Sequence, residues 1–115
     1  MSRETVNAIC ATLPGAELSD PWGGGHDAWK VGGKMFACIG SLGDGVSVKT
    51  ADIETAQMLI DAGMARKAPY FHRSWVLLAL DAEEDELRHR LTVSYDLVRA
   101  GLTRKTQALL PQRRG

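Results

Sequence analysis

Metal-binding and disulfide patterns are missing from the sequence. It contains two cysteines, Cys10 and Cys38, far apart, and no CxxC or HExxH motif. Its three histidines, His26, His72 and His89, are scattered along the chain. Ligands of one metal ion usually recur at short, fixed spacings, so we expect no metal site. We expect both cysteines to be reduced core thiols, because free cysteine packs as a small apolar side chain.

A long apolar segment is also missing. The longest apolar run, residues 75–80, has six residues, whereas a membrane-spanning helix needs about 20. The first residues do not combine a basic stretch with an apolar one, as a signal peptide does. We therefore expect a cytoplasmic protein that makes no membrane contact.

Neither sign of charge is in excess. The chain has 14 basic and 14 acidic residues, whereas proteins that coat nucleic acids are usually strongly basic. The charges are unevenly spread, however. Residues 62–80 and 99–115 contain basic side chains and no acid, whereas residues 81–90 contain five acids. A neutral chain of this kind can still present a local basic surface.

The strongest local signal is a β-hairpin around the glycine pair at residues 32–33. Two glycines can adopt the positive φ angles of a tight hairpin turn, and the flanking residues alternate with the strand period of two. Before the turn, Trp29 and Val31 are predicted to share one face. After it, one face is predicted to carry Met35, Ala37 and Ile39, and the other Phe36 and Cys38.

The remaining segments predict a single α+β domain over residues 1–115. Apolar spacing indicates helices over residues 2–13, 52–62 and 81–102, and strands over residues 46–49, 64–69 and 74–80. Residues 17–25 are predicted to form a loop. The order is α-β-β-β-α-β-β-α, and such runs of strands are typical of an antiparallel sheet with helices packed on it.

Several side chains have predicted local roles. Trp75 belongs to a strand that is apolar on both faces, so it is predicted to lie in the core. Pro69 cannot donate to a strand ladder, so its strand is predicted to lie at an edge or to end there. The side chains suited to capping helices are Ser2, Thr50 or Asp52, Asp81 and, for a last short turn, Thr103.

With these residues laid out, the chain resembles the MmcQ/YjbR family of small bacterial proteins over nearly its whole length. The resemblance rests on the order and spacing of LPGA at 13–16, PWG at 21–23, KVGGKMFA at 30–37, PY at 69–70 before Trp75, and SYDLV at 94–98 before Leu102. It implies an α+β fold similar to that of type III secretion chaperones, and a DNA-binding role. Family members commonly carry a basic residue before this tryptophan, and here that residue is Arg73, with His72 beside it. Arg104 and Lys105 follow Thr103 where the family often has a proline and two lysines.

Two segments could contact nucleic acid. Residues 66–75 interleave aromatic side chains with Arg66, Lys67, His72 and Arg73, and such a segment can grip phosphates while an aromatic ring stacks on a base. Lys30 and Lys34 flank the hairpin turn as a basic wing, with Arg104 and Lys105 as support. The competing structural interpretation is a solvated turn anchored by its aromatic rings, and ordinary solvated lysines.

A third segment, residues 21–27, could line a pocket for a small ligand. Its members would be Trp22 and His26, together with Trp29 on the following strand. The competing interpretation is that Trp22 folds back onto the core and the glycines allow a tight chain path. Gly33-Lys34 is not a phosphate-binding P-loop, because Met35 stands where Ser or Thr should bind magnesium.

The sequence thus predicts a non-enzymatic DNA-binding protein without catalytic residues or a cofactor. Binding should be weak, independent of sequence and steeply dependent on salt. Two alternatives stay open. One is a module that binds a protein partner or a second copy of itself, and the other is a small-ligand binder that uses the Trp22 loop.

Overall fold

The structure, a computed structural model, describes residues 3–20, 23–40, 43 and 45–112. Within these residues the chain forms helices α1 (Arg3–Ala11), α2 (Ile53–Asp61), α3 (Glu84–Ala100) and α4 (Arg104–Leu109). It also forms strands β1 (Glu17–Ser19), β2 (Asp27–Val31), β3 (Lys34–Ile39), β4 (Val46–Lys49), β5 (Arg66–Lys67) and β6 (Trp75–Leu78). The predicted Ser2 cap and the predicted ligand residue Trp22 lie outside the described residues.

The six strands form one antiparallel sheet in the order β1-β2-β3-β4-β6-β5. Helix α3 packs against β2, β3 and β4 and also contacts α1, whereas α2 packs against β5 and β6. The predicted α+β class and element order are confirmed. The predicted last short turn after Thr103 is helix α4. The structure adds β1 inside the predicted loop, and its three residues are too few to show an apolar alternation.

The core lies between the sheet and the helices α1 and α3. The predicted apolar stripe of α1 is buried, with Val6, Ile9, Cys10 and Leu13 all in contact with the core. Helix α3 contributes Leu87, Leu91 and Tyr95, and the central strands contribute Phe36, Ile39, Val46, Val48, Val76 and Leu78. None of the helices in the described part of the chain is long and apolar enough to cross a membrane.

A β-bulge on β3 changes the predicted alternation. Trp29 pairs with Ala37 and Lys30 pairs with Met35, so Phe36 has no cross-strand partner. Phe36 and Ala37 are both fully buried in the same core, and therefore do not alternate between faces as predicted. An extra residue bends a strand and re-aims its side chains, which explains the departure from period two.

The hydroxyl of Ser94 in α3 bridges β3 and β4 beside this bulge. It donates a hydrogen bond to the Phe36 carbonyl (2.6 Å) and accepts one from the Lys49 amide (2.9 Å). The described ladder between β3 and β4 runs over Ala37–Ile39 and Val46–Val48. Ser94 is 0% exposed, so a helix side chain satisfies the two backbone groups at the point where the strand pairing stops.

Two of the predicted caps are confirmed, and one is wrong. Asp52 accepts a hydrogen bond from the Thr55 amide at the start of α2, and Thr103 accepts one from Thr106 at the start of α4. Helix α3 begins after Glu83, which makes no side-chain capping bond, so Asp81 is not its cap. Three acidic side chains in its first turn suit the positive end of the helix dipole instead.

Trp75 is half-buried rather than a core residue as predicted. It is the first residue of β6, and its ring stacks on Phe71 with centroids 4.6 Å apart. Both cysteines are buried free thiols, as predicted. Burial raises the pKa of Cys10 to about 12, so this thiol stays protonated and unreactive.

Candidate nucleic-acid interface

The strand register brings several basic residues to one end of the sheet. Lys49 at the end of β4 pairs with Trp75 at the start of β6, and Lys67 at the end of β5 pairs with Val76. The start of β3, with Lys34, lies beside the end of β4 because these strands are antiparallel. We call this end, with Lys34, Lys49, Lys67 and Arg73, the basic end. Its outer strands β3 and β5 are three strand positions apart, about 14 Å.

The opposite end of the sheet is acidic. Strand β6 runs from the basic end to Leu78, and the chain then enters residues 81–86, which include five acids. We call residues 81–86 and the sheet end beside them the acidic end. Helix α3 starts there and has 17 residues, a length of about 25 Å. It is therefore long enough to bring its own C-terminus back toward the basic end.

The hairpin turn and the start of α4 meet near the basic end. A Cβ atom built at Gly32 would lie 2.5 Å from Leu102 Cδ1 and 3.0 Å from Thr106 Cγ2, and Gly32 has a φ of +57°. Glycine is required here both for the turn conformation and for the close approach. This contact places the exposed residues Arg104 and Lys105, between Leu102 and Thr106 in the chain, near the hairpin that carries Lys34.

The segment between β5 and β6, residues 68–74, presents an exposed aromatic ring at this end. We call it the Tyr70 loop. Ala68 is 2% exposed and fixes its start. The strand before Pro69 lies at the sheet edge as predicted, but it is shorter than predicted and ends at Lys67. Tyr70 has a relative exposure of 104%. It is also the one residue other than glycine with positive φ, +70°, in the part of the chain that the structure describes.

Hydrogen bonds fix the base of the Tyr70 loop to the end of β4. The Ser74 carbonyl accepts from the Thr50 amide (2.8 Å) and from the Thr50 hydroxyl (2.6 Å). The Trp75 amide donates to the His72 carbonyl (2.8 Å), and Lys49 Nζ donates to the Ser74 hydroxyl (3.4 Å). With Phe71 stacked on Trp75, the loop has a fixed base and an exposed tip.

His72 contributes to the loop through its ring. Its Nδ1 accepts a hydrogen bond from the Ser74 amide (3.1 Å) and lies 2.9 Å from the Ser74 hydroxyl. An accepting Nδ1 assigns the neutral ring's proton to Nε2 on the basis of this hydrogen-bond pattern. The described role of His72 is therefore structural, and the phosphate contact expected of it stays a prediction.

The structure brings the other predicted phosphate-binding residues into two groups. One comprises Arg66, Lys67 and Arg73, all exposed at the edge strand and the Tyr70 loop. The second lies at the hairpin and α4 and comprises Lys30, Lys34, Arg104 and Lys105. Within it Lys30 is half-buried and pairs across the strands with Glu17, so its charge is partly offset.

Lys49 is a residue that the sequence interpretation missed. It ends β4, between the strands that carry the two groups, and it is half-buried. Its position opposite Trp75, at the same end of the sheet as Lys34, follows from the strand order, which no single segment reveals. The signal available in the sequence was a lysine that ends an apolar strand directly before a helix cap.

The predicted ligand site at the glycine-rich loop is organised by Asp20. Its carboxylate accepts hydrogen bonds from the amides of Gly24, Gly25 and His26 at 3.0 to 3.3 Å, and the Gly25 bond is the main reason that the pKa of Asp20 is lowered. Nδ1 of His26 lies 3.6 Å from the same carboxylate.

Trp29, the second described member of that site, belongs to the core. It is 6% exposed, and its indole nitrogen donates to Asn7 Oδ1 (2.8 Å). Asn7 and Arg3 in turn donate to the Asp27 carboxylate, at 3.1 and 2.7 Å. Little of the Trp29 indole could therefore touch a ligand, and these polar groups serve to join α1 to β2.

A groove of about 520 Å³ that the sequence did not predict lies between α1, α3 and the C-terminal segment. Its lining includes Leu13, Pro14, Arg88, Thr92 and Pro111.

The described residues contain no group of three His, Cys, Asp or Glu side chains suited to a metal ion.

Comparison with known proteins identifies the family. The sequence profile of the YjbR family matches residues 11–97, more than half of the chain. The chain belongs to the YjbR family. The crystal structure of Deinococcus radiodurans protein DR2400, which contains a DUF419 domain, has the same fold as this YjbR chain, with a TM-score of 0.81 and 24% identity over 93% of this chain and 86% of the other. No curated protein matches the chain. The matched region contains the hairpin and the Tyr70 loop, whereas Arg104 and Lys105 lie beyond it.

Proposed function

We propose that this YjbR protein is a non-enzymatic DNA-binding protein that contacts phosphates through the basic end of its sheet. The observation that carries the proposal is the separation of charge in a chain of zero net charge. Lys34, Lys67 and Arg73 are exposed at one end, together with Asp52 and Glu54 at the start of α2, whereas five acids of residues 81–86 lie at the other end. A dipolar protein of this kind orients one surface toward a polyanion.

The basic end supports phosphate contact rather than base reading. Its exposed cations Lys34, Lys67 and Arg73 lie on a hairpin, an edge strand and a loop, and α4 beside them has only six residues, shorter than the helix that a groove-reading motif inserts into DNA. Contacts of lysine and arginine with phosphates position a protein on DNA but do not read its sequence. We therefore propose that binding is independent of sequence.

Hydrogen bonding of the titratable side chains supports a binding protein rather than an enzyme. Asp20 holds three loop amides, Asp27 holds Arg3 and Asn7, and His72 accepts from Ser74. These groups are the natural candidates for acid-base chemistry, and each has a structural hydrogen-bonding role. The partner proposed is DNA, with no cofactor.

Fluorescence anisotropy of labelled single- and double-stranded DNA tests this function. With four phosphate contacts, affinity should fall about 100-fold between about 50 mM and about 200 mM salt. Arg73→Glu and Lys34→Glu should each weaken binding, whereas Arg88→Glu makes the same charge change near the acidic end and should have little effect. Absence of binding to any DNA at low salt would refute the proposal and direct the search to protein partners.

A further inference from the structure

We infer that the DNA strand recognised is single-stranded and that Tyr70 stacks on one of its bases, an inference that rests on the proposed function. The starting observation is the full exposure of the Tyr70 ring, at 104% of its reference area. Large aromatic side chains are usually at least partly covered in a folded domain. Tyr70 is covered neither by the core nor by its own loop.

The backbone of Tyr70 also departs from what its side chain prefers. A φ of +70° is uncommon for residues other than glycine, and it is a costly choice for a bulky side chain. Glycine or asparagine would fit this turn position with less strain. A tyrosine at this position gains no packing within the domain, so its ring is available for a partner.

The rest of the Tyr70 loop fixes the backbone from which that ring projects. Thr50 fixes Ser74 through two hydrogen bonds of 2.8 and 2.6 Å, and Phe71 stacks on Trp75. A loop whose backbone is already fixed loses little backbone freedom on binding, which favours affinity. The loop is therefore suited to present Tyr70 as a platform.

The charges around the ring favour a nucleic acid over a protein partner. Arg66, Lys67 and Arg73 flank Tyr70, and residues 62–80 contain no acid. An exposed aromatic ring between cations is the combination that binds single strands, in which cations follow the backbone while rings stack on bases. In a duplex the bases are already stacked and paired, and their faces are not accessible to a surface ring.

The decisive experiment varies the Tyr70 side chain and the bases of the bound strand independently. Anisotropy is measured for a labelled oligothymidine of about 12 nucleotides, the length of strand that one small domain covers. The comparisons are a matched strand that is abasic at every position, a duplex, and an RNA strand that distinguishes DNA from RNA as the ligand. The proteins are the wild type, Tyr70→Gly, which suits the positive φ, and Tyr70→Phe, which keeps the ring.

We expect Tyr70→Gly to weaken binding to the intact strand about tenfold, and Tyr70→Phe by less than about threefold, because stacking uses the ring face. The abasic strand should bind wild type and Tyr70→Gly equally. The salt dependence should be unchanged by Tyr70→Gly and reduced by Arg73→Glu. Thermal unfolding should confirm that the variants fold, since Tyr70 is fully exposed.

The outcomes separate this inference from the proposed function. Salt-dependent binding in which the duplex is preferred, or in which Tyr70→Gly binds the intact strand as well as wild type does, overturns the inference and leaves the proposed function standing. Preference for RNA over DNA overturns the choice of DNA. Absence of binding to every oligonucleotide overturns both.

Discussion

The two ends of the sheet use their polar side chains in different ways. At the acidic end, cations are held by carboxylates: Arg3 by Asp27 at 2.7 Å, Arg88 by Glu84 at 3.1 Å and Arg90 by Glu86 at 2.9 Å. At the basic end, hydroxyl groups make the structural contacts, through Ser94, Thr50 and Ser74. Within the described residues, Lys34, Lys67 and Arg73 have no ion pair.

This difference shows how a chain without net charge can retain a charged surface. Neutral hydroxyls satisfy buried backbone groups at this end without using a charged side chain, and Lys34, Lys67 and Arg73 remain exposed. The ion pairs at the acidic end cancel charge locally. Net charge therefore says little about how charge is distributed over the surface of this protein, which depends on which charges form ion pairs.

The largest effect should come from breaking the hydroxyl bridge at the basic end. Ser94→Ala leaves the buried Phe36 carbonyl and Lys49 amide without their partner, and should lower the free energy of unfolding by about 2–4 kcal/mol. Ser19→Ala removes one hydroxyl bond on the exposed edge strand β1 and should cost less than about 1 kcal/mol. Urea denaturation measures both. Equal losses would show that the bridge is not a special feature of this end.

The next largest effect should come from the ion pair between α1 and β2. Asp27→Ala removes a carboxylate that accepts from Arg3 and Asn7 and is 22% exposed, and should cost about 2 kcal/mol. Glu84→Ala breaks a pair whose side chains are 62% and 51% exposed, and should cost less than about 1 kcal/mol. Chemical denaturation in low and high salt measures the difference. A larger loss for Glu84→Ala would contradict this ranking.

A smaller effect, on the free energy of DNA binding, should distinguish charge reversal at the basic end from charge reversal at the acidic end. Lys67→Glu reverses an exposed charge on β5 and should weaken binding about fivefold to tenfold at low salt, because it removes a phosphate contact and adds repulsion. Arg90→Glu makes the same charge change at the acidic end. We expect anisotropy titrations to show less than about twofold change for it. Similar losses for both variants would mean that only total charge matters.

The smallest effect should appear in the dependence of stability on pH. Hydrogen bonds from Thr55 lower the pKa of Asp52 at the basic end, and the Gly25 amide lowers that of Asp20 near the acidic end, both from an ordinary value of 3.8. Because the folded pKa lies below the unfolded one, each carboxylate contributes stability above about pH 3.8, and this is lost as the pH falls through the folded pKa.

Asp52→Asn and Asp20→Asn test this contribution, since asparagine keeps an accepting oxygen without the charge. Melting temperatures between pH 5 and pH 2.5 should fall less steeply for each variant than for the wild type. Parallel curves for the three proteins would show that neither carboxylate contributes to the loss of stability at low pH.

Local patterns predicted most of the fold. The α1 stripe, the glycine hairpin, the Asp52 cap and the Pro69 edge each depend on neighbours within a few residues, so the sequence reveals them. The bulge at Phe36 was missed because its hydrogen-bonding partner, Ser94, is 58 residues away. The predicted core position of Trp75 was wrong because Trp75 is the first residue of β6 and lies beyond its pairing with β5, which stops at Val76.

The sequence predicted most residues of the candidate site, but it did not predict that they share one surface. Basic residues in segments 30–34, 66–73 and 104–105 are visible in the sequence, and the strand order is needed to show that they share one end. Lys49 and the exposure of Tyr70 also depend on tertiary structure. The sequence cannot distinguish an exposed ring from a buried one within a stretch that interleaves basic and aromatic residues.

The Ser94 bridge has a consequence for how the chain is made. Strands β3 and β4 are synthesised early and close together. The hydrogen-bond acceptor of the Lys49 amide, the Ser94 hydroxyl, is synthesised 45 residues later. A nascent chain halted before α3 would have these strands without their bridge and without the cover of Leu87, Leu91 and Tyr95. Completion of the domain on the ribosome must therefore follow emergence of α3, and shortened translation products should be targets for chaperones and proteases.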